Sequence, residues 1–289
     1  MEFFVILTAW LLLQWLGPSS ALHRDHWLHH WYLRAGSALS AMPLAPRLLL
    51  VCLLPALAVA LLALLLEPVL GGVPLFLLQL LVLTYALGRG DFNAQLDAYL
   101  ARWQRGDLEA AYREALRAGV VTDSDSMSIG DGVALHREMR AAIAYSGFER
   151  WFAVVLWFYL LGPAAALFYR TLQLLLRDGC VSGEERRLIA RWLLWIEWLP
   201  ARLLGLAFAV TGNFVTCFRC WREHFLALVP TRALLAAYAE RALGGANDAA
   251  ADGQALVVAG AVELNELRDL LRRSAICWLV ALALLQLVG

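Results

Sequence analysis

The chain has 289 residues, of which 61% are hydrophobic and only 17% charged; a soluble protein of this length could not cover its surface with so little charge. Its 24 basic residues are all arginine and balance 24 Asp and Glu, so net charge gives no reason to expect a nucleic-acid partner. The absence of lysine excludes a P-loop nucleotide site and Schiff-base chemistry, and five scattered cysteines make no disulfide framework.

Apolar residues gather in blocks parted by arginine-bearing segments, the pattern of a multispanning membrane protein. Residues 2–17, EFFVILTAWLLLQWLG, start with Glu2 and lack a basic n-region and a small-x-small cleavage site, so they are read as an anchor helix and not a signal peptide. Leu48 to Leu66 runs 19 residues without a charge. Glu67-Pro68 and Gly71-Gly72 turn the chain, and Val73 to Leu87 returns as the second arm of a hairpin. Trp151 to Tyr169 is uncharged but interrupted by Gly162-Pro163. Trp192 to Phe218 is apolar yet carries Glu197, Pro200 and Arg202, and Ala275 to Val288 closes the chain. The first and last blocks are short against the roughly 20 residues a span needs.

Arginines in the connections predict orientation. Residues 17–47 hold three, 67–72 none, 88–150 eight, 170–191 five and 219–274 seven. Six crossings would place 18 inside and five outside, whereas a re-entrant or interfacial pair at 151–169 and 192–218 would place all 23 inside. Both arrangements put both termini outside. The count favours the second.

Between these blocks, Phe92, Leu96, Tyr99 and Trp103 recur at helical spacing. Gly106 stops that helix, Asp107 can cap the next, and Leu108, Ala111, Tyr112 and Ala115 supply its apolar face. Residues 122–132 form a polar loop, and Val133 to Phe148 resumes as a helix. Residues 244–254 are a small-residue linker. The helix after it sets Leu264, Leu267 and Leu271 on one side and runs into the last span. The expectation is an all-α, polytopic helical membrane protein with four to six hydrophobic helices: one domain over 1–289, with cytoplasmic helical segments at 88–150 and 219–274.

Glu197 and Arg202 are the sharpest local signal, since each would cost at least about 2.5 kcal/mol at the bilayer centre, and ionisable groups there usually pair or line a cavity. Pro200 between them is expected to kink the helix and aim both at one pocket; alternatively the block skims the interface and both groups snorkel. In LHRDHWLHHWYLR, His26 and His30 can share a helix face, with Asp25 or His23 completing a metal set and His29 close by. Trp27, Trp31 and Tyr32 interleave with them as in an interfacial helix, which is the favoured reading, and no metal is assigned. Cys217 and Cys220 form a lone CxxC, read as two thiols at a helix end. Asp123, Asp125 and Asp131 fail the calcium-loop pattern, with Ser128 at the sixth position and Ala134 at the twelfth. The Arg89-Gly90-Asp91 triplet is given no meaning.

GPAAALFYRTLQ (Gly162 to Gln173) and IEWLPARLLGLAF (Ile196 to Phe208), joined by a short charged connection, resemble the AmpE family of bacterial inner-membrane proteins tied to β-lactamase induction. That family is itself similar to the CobD/CbiB membrane synthases of the cobalamin pathway. The likeness extends over most of the chain, and its most specific elements are Gly162-Pro163, Tyr169-Arg170 and Pro200-Ala201-Arg202-Leu203. Where the synthases carry an Asn-Thr-Leu-Asp stretch and a pair of aspartates, this chain has Gln173 to Leu176 and Leu193-Leu194. Those carboxylates are what Mg²⁺ and phosphate chemistry would need, and their replacement favours the AmpE-like branch.

The resemblance implies a multi-pass inner-membrane regulatory or sensor protein connected with β-lactamase induction, antibiotic resistance and peptidoglycan recycling, more a regulator than an enzyme. The alternative is a membrane synthase similar to adenosylcobinamide-phosphate synthase. The ligand-binding residues it points to are Tyr169, Arg170, Glu197 and Arg202, with the two arginines clamping an anion. No cofactor is expected. The expected partners are the lipid bilayer and an anionic small molecule, either a cell-wall fragment or a nucleotide. A protein partner that the sequence does not identify, a second copy of the chain included, completes the expectation.

Overall fold

The computed structural model describes residues 2–16, 26–68, 72–87, 92–117, 132–245 and 254–288. His23, Asp25, the Arg89-Gly90-Asp91 triplet, the loop bearing Asp123, Asp125 and Asp131, and most of the 244–254 linker lie outside the described residues. The helices in chain order are α1 (Glu2–Leu16), α2 (His26–Ala38), α3 (Leu44–Leu66), α4 (Val73–Ala86), α5 (Phe92–Trp103), α6 (Leu108–Arg117), α7 (Gly132–Gly147), a π turn at Phe148–Phe152, α8 (Ala153–Leu161), α9 (Pro163–Arg177), α10 (Gly183–Ile196), α11 (Trp198–Thr211), α12 (Phe214–Glu223), α13 (Thr231–Ala242) and α14 (Gln254–Val288). No strand occurs among the described residues, and the chain has the all-α fold of a helical membrane protein.

Two helices, α3 and α14, are long and apolar enough to cross a membrane, and α10 with α11 make a third candidate if their break falls within one span. α4 and the first part of α1 are shorter apolar helices. Leu54, Leu57, Leu61, Leu64 and Leu65 on α3 and Val280, Leu284 and Leu285 on α14 are exposed, a surface that hydrocarbon solvates better than water. The brevity expected of the last span does not arise: its apolar residues continue a 35-residue helix. The apolar blocks at 151–169 and 192–218 are each divided. In the first, Gly162 holds φ 80°, a left-handed conformation that side chains with a Cβ avoid. Pro163 then opens α9, where a fixed φ and a missing N–H cost nothing. The second is shared among α10, α11 and α12. Its break falls at Glu197 and not at Pro200, which sits in the first turn of α11, where backbone N–H groups have no intrahelical partner anyway.

The chain divides into two compact units, Met1–Arg89 with Arg150–Glu197 and Gly90–Glu149 with Trp198–Gly289. In the first, α9 is central and packs on α3, α4, α8 and α10. Leu48, Val51 and Cys52 of α3, Leu83 of α4, Phe158 of α8, Leu172 and Leu175 of α9 and Ile189 of α10 are buried between them. Ser182 and Glu185 form a capping box that starts α10. The Glu185 carboxylate also accepts hydrogen bonds from the Tyr32 hydroxyl (2.8 Å) and from Arg47 (2.8 Å), so one buried acid ties α2 and α3 to α10. Burial and that bond to Glu185 push the Tyr32 phenol above its ordinary range.

In the second unit the expected helical hairpin is present. Gly106 takes φ 73°, the Asp107 side chain accepts from the Ala110 N–H at 2.9 Å, and Leu96, Tyr99, Trp103, Ala111 and Ala115 are buried. Burial pushes the Tyr99 and Tyr238 phenols up. Leu264, Leu267 and Leu271 of α14 face inward as expected. The approach of α11 to α13 depends on Gly205, where a Cβ would stand 2.5 Å from two ring carbons of Tyr238, a residue fully buried itself. Gly205→Ala is therefore expected to destabilise the protein by about 1–3 kcal/mol through overpacking. Gly36→Ala on α2, where the added methyl meets nothing within 4 Å, should leave stability unchanged or raise it by up to about 1 kcal/mol. Thermal unfolding of both variants in detergent checks the contrast, and equal midpoints would refute it.

Candidate functional site

Helix α9 places Tyr169 and Gln173 one turn apart on the same face, and α10, which packs on it, ends at Glu197. The Tyr169 hydroxyl donates to Glu197 Oε1 at 3.0 Å. Gln173 Nε2 donates to the same oxygen at 2.6 Å and to the Tyr169 oxygen at 3.0 Å. Glu197 is 2% exposed, so protein groups take the place of water around its carboxylate. Arg170, next to Tyr169 on α9, is buried as well.

Arg202 belongs to the second unit. Its guanidinium donates to the carbonyls of Trp198 (3.2 Å), Phe225 (3.2 Å), His224 (3.5 Å) and Ala227, and lies 4.9 Å from the centroid of the Trp198 ring. The carbonyls of His224, Phe225 and Ala227 lie just beyond the end of α12. A planar fork with five N–H groups can satisfy several of them together. Of the expected site residues, Tyr169 and Glu197 are thus in direct contact, Arg170 follows Tyr169 on α9 in the same unit, and Arg202 donates to backbone carbonyls in the other unit.

Some functional candidates escaped the reading of the sequence. Gln173 looked like a mere departure from the synthase pattern, although its position four residues after Tyr169 was the available signal. In the second unit, His136 and Arg140 of α7 meet the two oxygens of Glu263 on α14 at 2.7 Å each, and Arg140 also reaches Glu240 of α13 at 3.1 Å. His136 and Arg140 stand at i and i+4, but nothing local announced an acid more than a hundred residues away. The CxxC pair lies on α12 with both cysteines free and buried, and the Cys217 thiol faces the carbonyls of Gly205 and Tyr238. Removing the Arg202 fork by Arg202→Ala is expected to cost about 1–3 kcal/mol, because partly buried carbonyls lose a charged donor. Arg202→Lys should recover only part, having no fork. Denaturant melts of the pair decide, and a full rescue by lysine would show that charge alone matters.

A family model described as regulatory signalling modulator protein AmpE matches residues 4–247. The chain is 28% identical over 156 residues to the cobalamin biosynthesis protein CobD of Chromobacterium violaceum, a match that covers 52% of this chain and 46% of that protein. The alignment thus spans about half the length of the curated relative. No solved structure matches the chain. The family match takes in the Gly162 break, the Tyr169, Gln173 and Glu197 cluster and the Arg202 clamp, and by it this chain belongs to the AmpE family.

Proposed function

We propose that the chain is a regulatory protein of the bacterial inner membrane that modulates a signal connected with β-lactamase induction and peptidoglycan recycling. Its Glu197 centre is the element that responds. The observation that carries this reading is a desolvated carboxylate held by a phenol and an amide where α10 ends. An anionic ligand, either a cell-wall fragment or a nucleotide, would compete with Glu197 for the donors of Tyr169 and Gln173 and draw on Arg170. A ligand that binds one arrangement of these groups better than another shifts the population between them. The family match to a signalling modulator supports the regulatory reading. On this reading the protein crosses the inner membrane more than once, the arginine-bearing connections face the cytoplasm, and a second copy is a candidate protein partner. The CobD relative favours a second reading, a membrane synthase, which would require the centre to bind a cobinamide or nucleotide substrate.

Glu197→Gln keeps the size of the side chain and removes its charge. In a host whose own copy is deleted, this variant is expected to abolish the change in β-lactamase induction that the wild-type chain restores, with the amount of protein in the membrane unchanged. Tyr169→Phe should weaken the response less, since it removes one donor and leaves that of Gln173 in place. A normal response from Glu197→Gln would end the proposal, and loss of the protein from the membrane would make the carboxylate a folding element. Binding of a cobinamide by the purified wild-type chain would favour the synthase.

A further inference from the structure

The histidine-rich segment gains different company in the folded chain from any its own sequence offers. His29 on α2 meets Asp178 and Cys180, which lie 149 and 151 residues further on in the turn between α9 and α10. His29 Nδ1 is 3.1 Å from Asp178 Oδ2, and Cys180 Sγ is 3.9 Å from His29 Nε2. One ligand atom from each of the three lies within 4.8 Å of the others. The turn is braced: the Cys180 N–H donates to Asp178 Oδ1 at 2.9 Å, and Arg186 donates to the Asp178 carbonyl at 3.1 Å. The acid and the thiol are therefore presented together to the imidazole.

We propose that His29, Asp178 and Cys180 form a zinc-binding site. Two ligands of one tetrahedral zinc, each about 2.1 Å from it, stand about 3.4 Å apart, close to the observed imidazole–carboxylate separation. The ion would replace the proton those two groups share. Cys180 is exposed and can close on the ion by side-chain rotation. A thiolate, an imidazole and a single carboxylate suit zinc, whereas magnesium and calcium take sets of oxygen ligands. Because His29 and Asp178 are only partly buried, the fourth position is open to water and the ion can exchange with solution. A bound zinc would cross-link α2 to the α9–α10 turn within the first unit. This site is separate from the Glu197 centre, and its test does not depend on signalling.

The full chain, purified in detergent under reducing conditions and stripped with a chelator, is titrated first with Co²⁺ and then with Zn²⁺. One Co²⁺ per chain is expected, with a thiolate-to-cobalt charge-transfer band and the visible bands of tetrahedral cobalt, all lost when Zn²⁺ displaces it. Cys180→Ser should abolish the charge-transfer band, and His29→Gln and Asp178→Asn should each weaken zinc binding at least about tenfold. The double variant Cys217→Ser and Cys220→Ser should bind as the wild type does. On the unmutated protein, zinc should slow alkylation of Cys180. Absence of the thiolate band, its survival in Cys180→Ser, or an alkylation rate indifferent to zinc would each overturn the assignment.

Discussion

A carboxylate that water does not reach has to be solvated by the protein, and around Glu197 the first unit is arranged to do so. Leaving such a group without partners would cost several kcal/mol, so α9 must bring a phenol and an amide to the end of α10. The one-turn spacing of Tyr169 and Gln173 is what lets both reach a single oxygen. The left-handed glycine at 162 and the proline after it set where α9 begins, and the capping box at Ser182 and Glu185 sets where α10 begins. Each device fixes the start of a helix, and together they fix the register of the centre.

Arginine suits the buried positive charges because of the same scarcity of water. Arg202 serves carbonyls from two stretches of chain, Arg140 spans the carboxylates of Glu240 and Glu263, and Arg47 joins Tyr32 on Glu185. An ammonium is a strongly hydrated point charge and would leave some of these acceptors bare, whereas the guanidinium fork distributes its N–H groups over several partners with one side chain. In a chain with so few charges, most buried ones hold helices together. Around Glu197 a phenol and an amide are among the groups that hold the carboxylate.

The likeness to a cobalamin-pathway protein is 28% identity over 156 residues and covers about half of that protein's length. The Gln173 amide both donates to an acid and supports the phenol beside it.

Much of the architecture was legible in the sequence because local rules govern it. Apolar run length marked α3 and the end of α14, the 3.6-residue period marked the hairpin of α5 and α6 and its buried Leu96, Tyr99 and Trp103, and glycine, proline and aspartate marked the boundaries at 106, 107 and 162. Glu197 also stood out, since an acid in an apolar block is conspicuous without any structure. What the tertiary structure decided was the company each polar residue keeps. It gave Glu197 the donors Tyr169 and Gln173, turned Arg202 onto carbonyls where the sequence suggested an anion, tied His136 and Arg140 to Glu263, and carried His29 to Asp178 and Cys180. Hydrogen bonds and ion pairs act over a few ångströms of space while their members stand tens to more than a hundred residues apart in the chain. Periodicity and spacing record which face of a helix is buried, and only packing determines what it is buried against.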